Sequence, residues 1–359
     1  MSIIHVQEGK MKKRLICALT CLSMLILTAC GGSGSAENSL VIGNQPYTQG
    51  IPIYIAEEEG LYEGFSTESL MFVSGNTQNE ALGADEWEVG VTGLPPAIFG
   101  GVSYGLKIIG FSVDDTVSPR FYVRPDSDIL TVQGAVEGCP DIYGDADTWR
   151  GKQILCPTAT SSHLMLAVVL EKLGLSESDV EIVHMDPSQA LTAFKAGEGD
   201  VLACWPPIAY GVDEDWVLAA SGVATGEQIP IVVVASEKAL SEKRDTVKAW
   251  LRQYYQHCEE MKDDTDKLSE TLETMEIDNG LTVSAEETRM IVEERPLPTF
   301  AEQAELFAGE PGQTKADEIV MKYVDIFVQE GRISESDKEK LISEGFIDNS
   351  LLTELMEEQ

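Results

Sequence analysis

Two short segments carry the side chains and free backbone donors from which a solute site could be built. Thr92-Gly93-Leu94-Pro95-Pro96 follows an apolar run, and its prolines suit a first helical turn, where a missing N–H would have had no partner. The remaining free N–H groups of such a turn can bind an anion or a carbonyl. Pro157-Thr158-Ala159-Thr160-Ser161-Ser162-His163 offers the same arrangement with hydroxyls added. Hydrogen bonds to a polar or anionic group are expected from Thr92, Gly93, Thr158, Thr160, Ser161 and Ser162; for either segment alone, ordinary helix capping is the plainer alternative. Asn44 and Gln45 would orient the bound group. Trp205, followed by Pro206 and Pro207, would wall off an apolar body or a cation unless it is a packed hinge tryptophan, and Tyr47 is a similar candidate. Asp114 and Asp115 also follow an apolar run, where a site-facing carboxylate would bind an amine and a solvated turn is the simpler account.

Cys156 and Cys204 each close an apolar run. In a sheet ordered 2-1-3 those strands are neighbours, about 4.8 Å apart, and three readings stay open. The pair could form a disulfide, face a thiophilic metal or a sulfur or selenium compound as thiols, or sit as inert buried side chains. Catalysis has little to work with. His163, His184 and His257 show no metal-ligand spacing and no nucleophile elbow, and the adjacent Ser162 and His163 would diverge on a helix. No enzymatic activity, cofactor or resident metal is expected.

The elements that must position these residues follow an α/β pattern, short apolar runs alternating with helical periods. The pattern runs twice. The first pass comprises Leu40–Gly43, a helix over Ile51–Glu59, Ser69–Val73, Glu88–Thr92 and Leu106–Ser112. The second starts at Trp149-Arg150-Gly151 and comprises Lys152–Cys156, a helix over Ser162–Leu173, Val180–Val183, a helix over Ser188–Ala196 and Asp200–Cys204. Between them lies an acidic, glycine-containing insert, 136–147. After one more apolar run, Pro230–Ala235, the chain reads as helical to its end. Such a tail has no sheet of its own and must pack on the first lobe, so the chain would cross between lobes twice. The expected division is 1–30 leader, 31–39 tether, 40–130 first part of lobe 1, 131–225 lobe 2, and 226–359 second part of lobe 1 with C-terminal helices. Four loops lie beyond the carboxyl ends of strands, where open α/β sheets bind ligands: 44–50, 92–96, 157–163 and 204–207.

The leader and the rest of the chain differ sharply in charge. Four of the 25 Lys+Arg and one of the 61 Asp+Glu fall in residues 1–29, leaving 21 against 60 beyond it, a net charge of about −39. That field disfavours nucleic acid and anionic lipid headgroups. Screening over about 8 to 10 Å leaves the charge of a cleft to its local groups. The basic cluster Lys12-Lys13-Arg14 and the apolar run Leu15–Leu27 form an export signal too short for a membrane span, with Met11 the better start than Met1. Leu27-Thr28-Ala29-Cys30 resembles the lipobox of bacterial lipoproteins, in which the cysteine becomes the lipid-bearing (palmitate-type) N-terminus. Gly31–Ala36 reads as a flexible tether. The expected location is extracytoplasmic, anchored to the membrane through Cys30.

Several motifs in order resemble the nitrate/sulfonate/taurine family of ABC-transporter substrate-binding proteins, which have the type II periplasmic-binding-protein fold. They are Ile42-Gly43-Asn44-Gln45-Pro46, Ile53–Tyr62, Gly90–Ala97, Trp149–Lys152, Pro157–His163, Ala190–Val201 and Trp205-Pro206-Pro207, and they span nearly the whole chain beyond the tether. The resemblance implies capture of a small polar or anionic organic solute of the sulfonate, taurine or nitrate-like class between two lobes. It also implies delivery to an ABC permease driven by a cytoplasmic ATPase. Other readings are a thiamine precursor, a soft sulfur-containing or metal ligand at Cys156 and Cys204, a lipid-anchored sensor or interaction protein, or an enzyme on the same fold. No Arg or Lys falls in the four loops, so a doubly charged anion is disfavoured against a monoanion or a neutral polar solute.

Overall fold

The computed structural model describes residues 38–358; the leader and Cys30 lie outside them. Ten strands occur among the described residues: β1 (Ser39–Asn44), β2 (Ser66–Met71), β3 (Val89–Gly93), β4 (Leu106–Asp114), β5 (Arg120–Val123), β6 (Gln153–Cys156), β7 (Glu181–His184), β8 (Val201–Cys204), β9 (Val217–Ser221) and β10 (Pro230–Ser236). They form two five-stranded sheets, ordered β2-β1-β3-β10-β4 and β7-β6-β8-β5-β9. In each, three strands run parallel through βαβ connections and a fourth enters antiparallel. β3 and β10 are buried along their whole length, as expected of apolar runs covered on both faces. The result is an α/β fold in two lobes.

The chain passes from the first sheet to the second between Asp114 and Arg120 and returns between Ser221 and Pro230. The first crossing therefore comes earlier than the expected boundary at residue 130. β5 is only Arg-Phe-Tyr-Val, too short to show a period of its own, and it acquires strand geometry from pairing with β8 and β9 on either side. β9 escaped the sequence reading for the same reason. The 136–147 stretch packs onto lobe 2: the Tyr143 N–H donates to the Ala219 carbonyl, and the buried Trp149 donates its indole N–H to the Tyr143 carbonyl at 2.8 Å.

Eight helices follow β10, and their contacts tie them to the first sheet. On Arg244–Met261, Tyr254 shares a 2.6 Å hydrogen bond with Ser112 and Tyr255 donates to the Phe111 carbonyl at 2.9 Å. Gln303 accepts the Phe111 N–H, and Ile347 bridges to Ile108. Among the described residues no helix is long and apolar enough to cross a membrane.

β1 and β3 approach closely where Gly43 pairs with Gly90. A Cβ on Gly90 would lie 2.1 Å from the Gly43 carbonyl oxygen. Gly90→Ala is expected to lower unfolding stability by about 1–3 kcal/mol, the usual cost of an overpacked core, as read by chemical denaturation.

Candidate functional site

A cavity of about 70 Å³ lies between the two sheets, walled from one lobe by Gln45, Tyr47, Gln49, Ser74, Gly75, Gly93 and Arg295, and from the other by Thr160, Ser161, Ser162 and Trp205. Asp115 and Ser118, in the crossover between the lobes, complete it. Three helices begin here. Gly75–Gly83 is capped by Ser74, whose hydroxyl accepts the Thr77 N–H, and Leu94–Tyr104 begins directly after Gly93. Ser161–Lys172 is capped by Thr160, which accepts the His163 N–H. Each N-terminus carries partial positive charge and unpaired donors. Pro95 and Pro96 remove two donors from the second helix, so more of the hydrogen bonding falls to the hydroxyl-rich helix opposite.

The packing explains why small residues sit at these points. A Cβ on Gly75 would collide with Pro96 at 2.2 Å, so glycine lets two helix starts meet. A Cβ on Gly93 would come 3.5 Å from Ser161 Oγ, which places the expected partners Gly93 and Ser161 face to face across the cleft. Ala159 takes a left-handed φ of 60°, uncommon for a residue with a side chain. Its N–H is satisfied by His163 Nδ1 at 3.1 Å, which holds the turn leading into Thr160.

Of the expected site residues, Gln45, Tyr47, Gly93, Thr160, Ser161, Ser162 and Trp205 line the cavity, and Asn44, Thr92 and Thr158 do not. Asn44 is consumed by its own turn, accepting the Gln45 N–H at 2.8 Å and donating to the Gly50 carbonyl at 3.1 Å. Thr92 is buried behind the wall, 3.5 Å from Gln45 Nε2, and the Thr158 hydroxyl pairs with His184 Nδ1 at 2.8 Å. Gln45 is held rigid: its Nε2 donates to Gln78 at 2.9 Å and its Oε1 accepts from Gln49 at 3.0 Å. Tyr47 donates to the Val73 carbonyl at 3.0 Å. Burial pushes its hydroxyl up to about 12, against a polar contact from the Trp205 side chain of the opposite lobe.

Cys156 and Cys204 are free, fully buried thiols and neither lines the cavity. The strands are neighbours as expected, but the register sets Leu155 against Leu202, which places Cys156 beside Ala203 and turns Cys204 to the opposite face of the sheet. That offset rules out the disulfide geometry. Burial raises the Cys156 thiol far above its usual range and Cys204 to about 12, so both are protonated.

The sequence reading missed the charges of the cleft. Arg295 arrives from the helical tail, immediately after helix Ala285–Glu294, and pairs with Asp115 at 2.9 Å. Arg295 is 6% exposed and Asp115 7%, so the pair is buried, and Asp115 is no solvated turn. Asp114 is the exposed member, accepting the Thr116 N–H at 2.9 Å. Arg295 also donates to Gln49 at 3.2 Å, and its Nε has no hydrogen-bond partner. The expectation of a cleft without basic side chains is thus corrected, because a residue some 180 positions from Asp115 in sequence reaches it only by tertiary packing. Ser74 and Gly75 could have been found by applying the strand-end rule to β2 as well.

Behind Arg295 lies Glu276, 1% exposed, with one carboxyl oxygen unpaired. Burial pushes its pKa up to about 8, and the nearby Arg295 opposes the shift without cancelling it. Between the ordinary carboxylate range and pH 8 the folded state then holds a proton that the unfolded chain has lost, so stability falls as pH rises through that interval. Glu276→Gln is expected to remove this part of the decline and to leave the variant more stable than the parent at pH 8, as followed by melting temperature from pH 5 to 9.

Residues 145–267 match the family described as NMT1/THI5 like. A protein of Brachyspira hyodysenteriae, named as an ABC transporter periplasmic binding protein, is 31% identical over 313 residues, covering 85% of this chain and 90% of that one. A Bacillus subtilis protein named as an aliphatic sulfonates-binding protein is 27% identical over 209 residues, 55% of this chain and 58% of that one. Among solved structures, the periplasmic aliphatic sulphonate binding protein of Escherichia coli superposes with a TM-score of 0.66 at 19% identity, covering 85% of this chain and 92% of that one. The periplasmic nitrate-binding protein of Synechocystis gives 0.62 at 14%, with 89% of each chain covered. The two structures share the fold, and the Brachyspira protein, similar along nearly its whole length, establishes the kinship: the chain belongs to the family of ABC-transporter periplasmic binding proteins.

Proposed function

We propose that this protein captures a small polar or anionic organic solute, of the sulfonate or nitrate-like class, and hands it to an ABC permease driven by a cytoplasmic ATPase. The observation that carries this reading is the convergence of three helix N-termini, two from one lobe and one from the other, on a single cleft with hydroxyls at Ser74, Thr160, Ser161 and Ser162. Such an arrangement attracts a partial or full negative charge without a net cation. The family and the names of its relatives support the same class. Cys156 and Cys204 play no part in it, since neither lines the cavity. Lipid attachment at Cys30 would hold the protein at the membrane beside its permease.

Contacts between lobes support capture by closure. Asn76 donates to the Thr158 carbonyl at 3.5 Å, and Arg120 of β5 pairs with Glu294 at 3.2 Å. Arg332 of the tail reaches Glu177 and His163 on lobe 2, with His163 Nε2 at 2.9 Å from Glu177. Burial alone would raise the Glu177 pKa, but His163 and Arg332 hold it below its ordinary value. This cluster would act as a latch. A solute bridging Ser161 and Gly93 would favour the state in which both lobes make their contacts at once.

Titration calorimetry against sulfonates, nitrate and small carboxylates tests the reading. One class should bind saturably, and Ser161→Ala should weaken it about tenfold or more, as for a hydrogen bond to a charged group. Absence of saturable binding across all classes would sink it. Arg332→Ala, which removes a partly exposed pair, should weaken binding only about two- to fivefold, through faster release rather than slower association.

A further inference from the structure

We propose that the helical tail sets the balance between open and closed lobes through two paired grips on the crossings, Glu294-Arg295 on the first and Lys322-Tyr323 on the second. In each grip one residue anchors a crossing, and its chain neighbour reaches toward lobe 2 and parts from it when the cleft opens. The inference rests on the solute-capture reading, which requires opening and closing, and makes Glu294 and Lys322 positioning residues for it.

The two crossings form one ribbon. The Asp115 N–H donates to the Ile229 carbonyl at 2.8 Å, the Ile229 N–H to Thr116 Oγ1 at 3.0 Å and the Gly222 N–H to the Pro119 carbonyl at 3.0 Å. The tail holds both strands of this ribbon. At the first crossing Arg295 pairs with Asp115 at 2.9 Å, and Glu294, the residue before it, pairs with Arg120 at the start of β5 at 3.2 Å. At the second, Tyr323 on helix Lys315–Gln329 donates to the Gln228 carbonyl at 2.6 Å, and Lys322, the residue before it, pairs with Glu227. Glu227 is shared. Its other carboxyl oxygen accepts from Lys172 at 3.0 Å, at the far end of the lobe 2 helix that begins with Ser161. Burial alone would raise the Glu227 pKa, but Lys322 and Lys172 hold it below its ordinary value, so the shared carboxylate stays charged.

Burial divides the two roles. The anchors Arg295, Asp115 and Tyr323 are buried, and breaking a buried charge pair strands an uncompensated charge. They therefore hold in both states. The reaching side chains meet solvent, Glu294 being 39% exposed and Lys322 46%. A pair of that kind is worth about fivefold or less in an equilibrium constant, too little to hold a fold together. Two acting at once reach about twentyfold, enough to move a balance between two conformations whose minor member is populated at about 0.1–10%.

The test reads closure directly, with no solute added. Spin labels are carried on genetically encoded residues replacing Glu80, on helix Gly75–Gly83 of lobe 1, and Ser188, on helix Pro187–Lys195 of lobe 2, both exposed. Lys322→Glu sets a like charge beside Glu227, and Glu294→Arg does so beside Arg120. Each should lengthen the distance between labels by about 3 Å or more, as the lobes swing apart, with a melting temperature within about 4 °C of the parent. Lys322→Arg, which keeps the charge, should retain the parent distance. An unchanged distance in both reversals, a change that Lys322→Arg shares, or a change accompanied by a larger fall in melting temperature overturns the proposal. A change in one reversal alone overturns the pairing of the grips. Because the labels need no solute, a failure here leaves solute capture to be judged by calorimetry, and a failure to bind solute leaves the distances to judge the tail.

Discussion

The gap between β3 and β4 governs the architecture. The two strands follow one another through helix Leu94–Tyr104, yet they do not pair; β10 lies between them and forms antiparallel ladders with both. Buried backbone donors and acceptors must be paired, so the first sheet stays open until the chain has built the second lobe and returned. The second sheet has the reciprocal arrangement, with β5 filling its place beside β8. Each lobe is therefore completed by a strand that adjoins a crossover, and the two crossings sit side by side, where Asp115 donates to Ile229. A connection of two adjacent segments follows from that pairing, as does a cleft bounded by the carboxyl ends of parallel strands.

The electrostatics of the cleft and of the surface are separate matters. The chain carries a formal charge of −36, spread over solvated helices and screened over about 10 Å or less. Within the cleft the relevant charges are few: helix N-termini, one guanidinium and one carboxylate. Gln45, Gln49 and Gln78 form a hydrogen-bonded rack behind them, and Gln78 is itself anchored to the Gly43 and Val91 carbonyls. Such a rack spends its hydrogen bonds on the protein and fixes the wall, while across the cavity the Thr160 hydroxyl donates to the Pro157 carbonyl and the Ser162 hydroxyl to the Cys204 carbonyl. The same helix that presents Ser161 carries His163, so the turn lining the cavity is joined to the contacts with Glu177 and Arg332 that link the lobes.

The local sequence determined a good deal. Apolar runs and helical periods located eight of the ten strands among the described residues, and the helices Ile51–Glu59, Ser161–Lys172 and Pro187–Lys195, within a few residues, because those patterns reflect burial on one face or two. Glycine, proline and hydroxyl residues after strand ends marked Gly93, Thr160, Ser161 and Ser162, because cap and turn chemistry is local. Tertiary structure decided what local pattern cannot carry. β5 and β9 become strands through their partners, the β6–β8 register sets on opposite faces two cysteines for which a disulfide had been one of three open readings, and Asn44, Thr92 and Thr158 are drawn into bonds with their neighbours. Above all, Arg295 reaches Asp115 from far along the chain. A contact of that kind depends on how a helical tail docks on a finished sheet, and no spacing within the sequence encodes it.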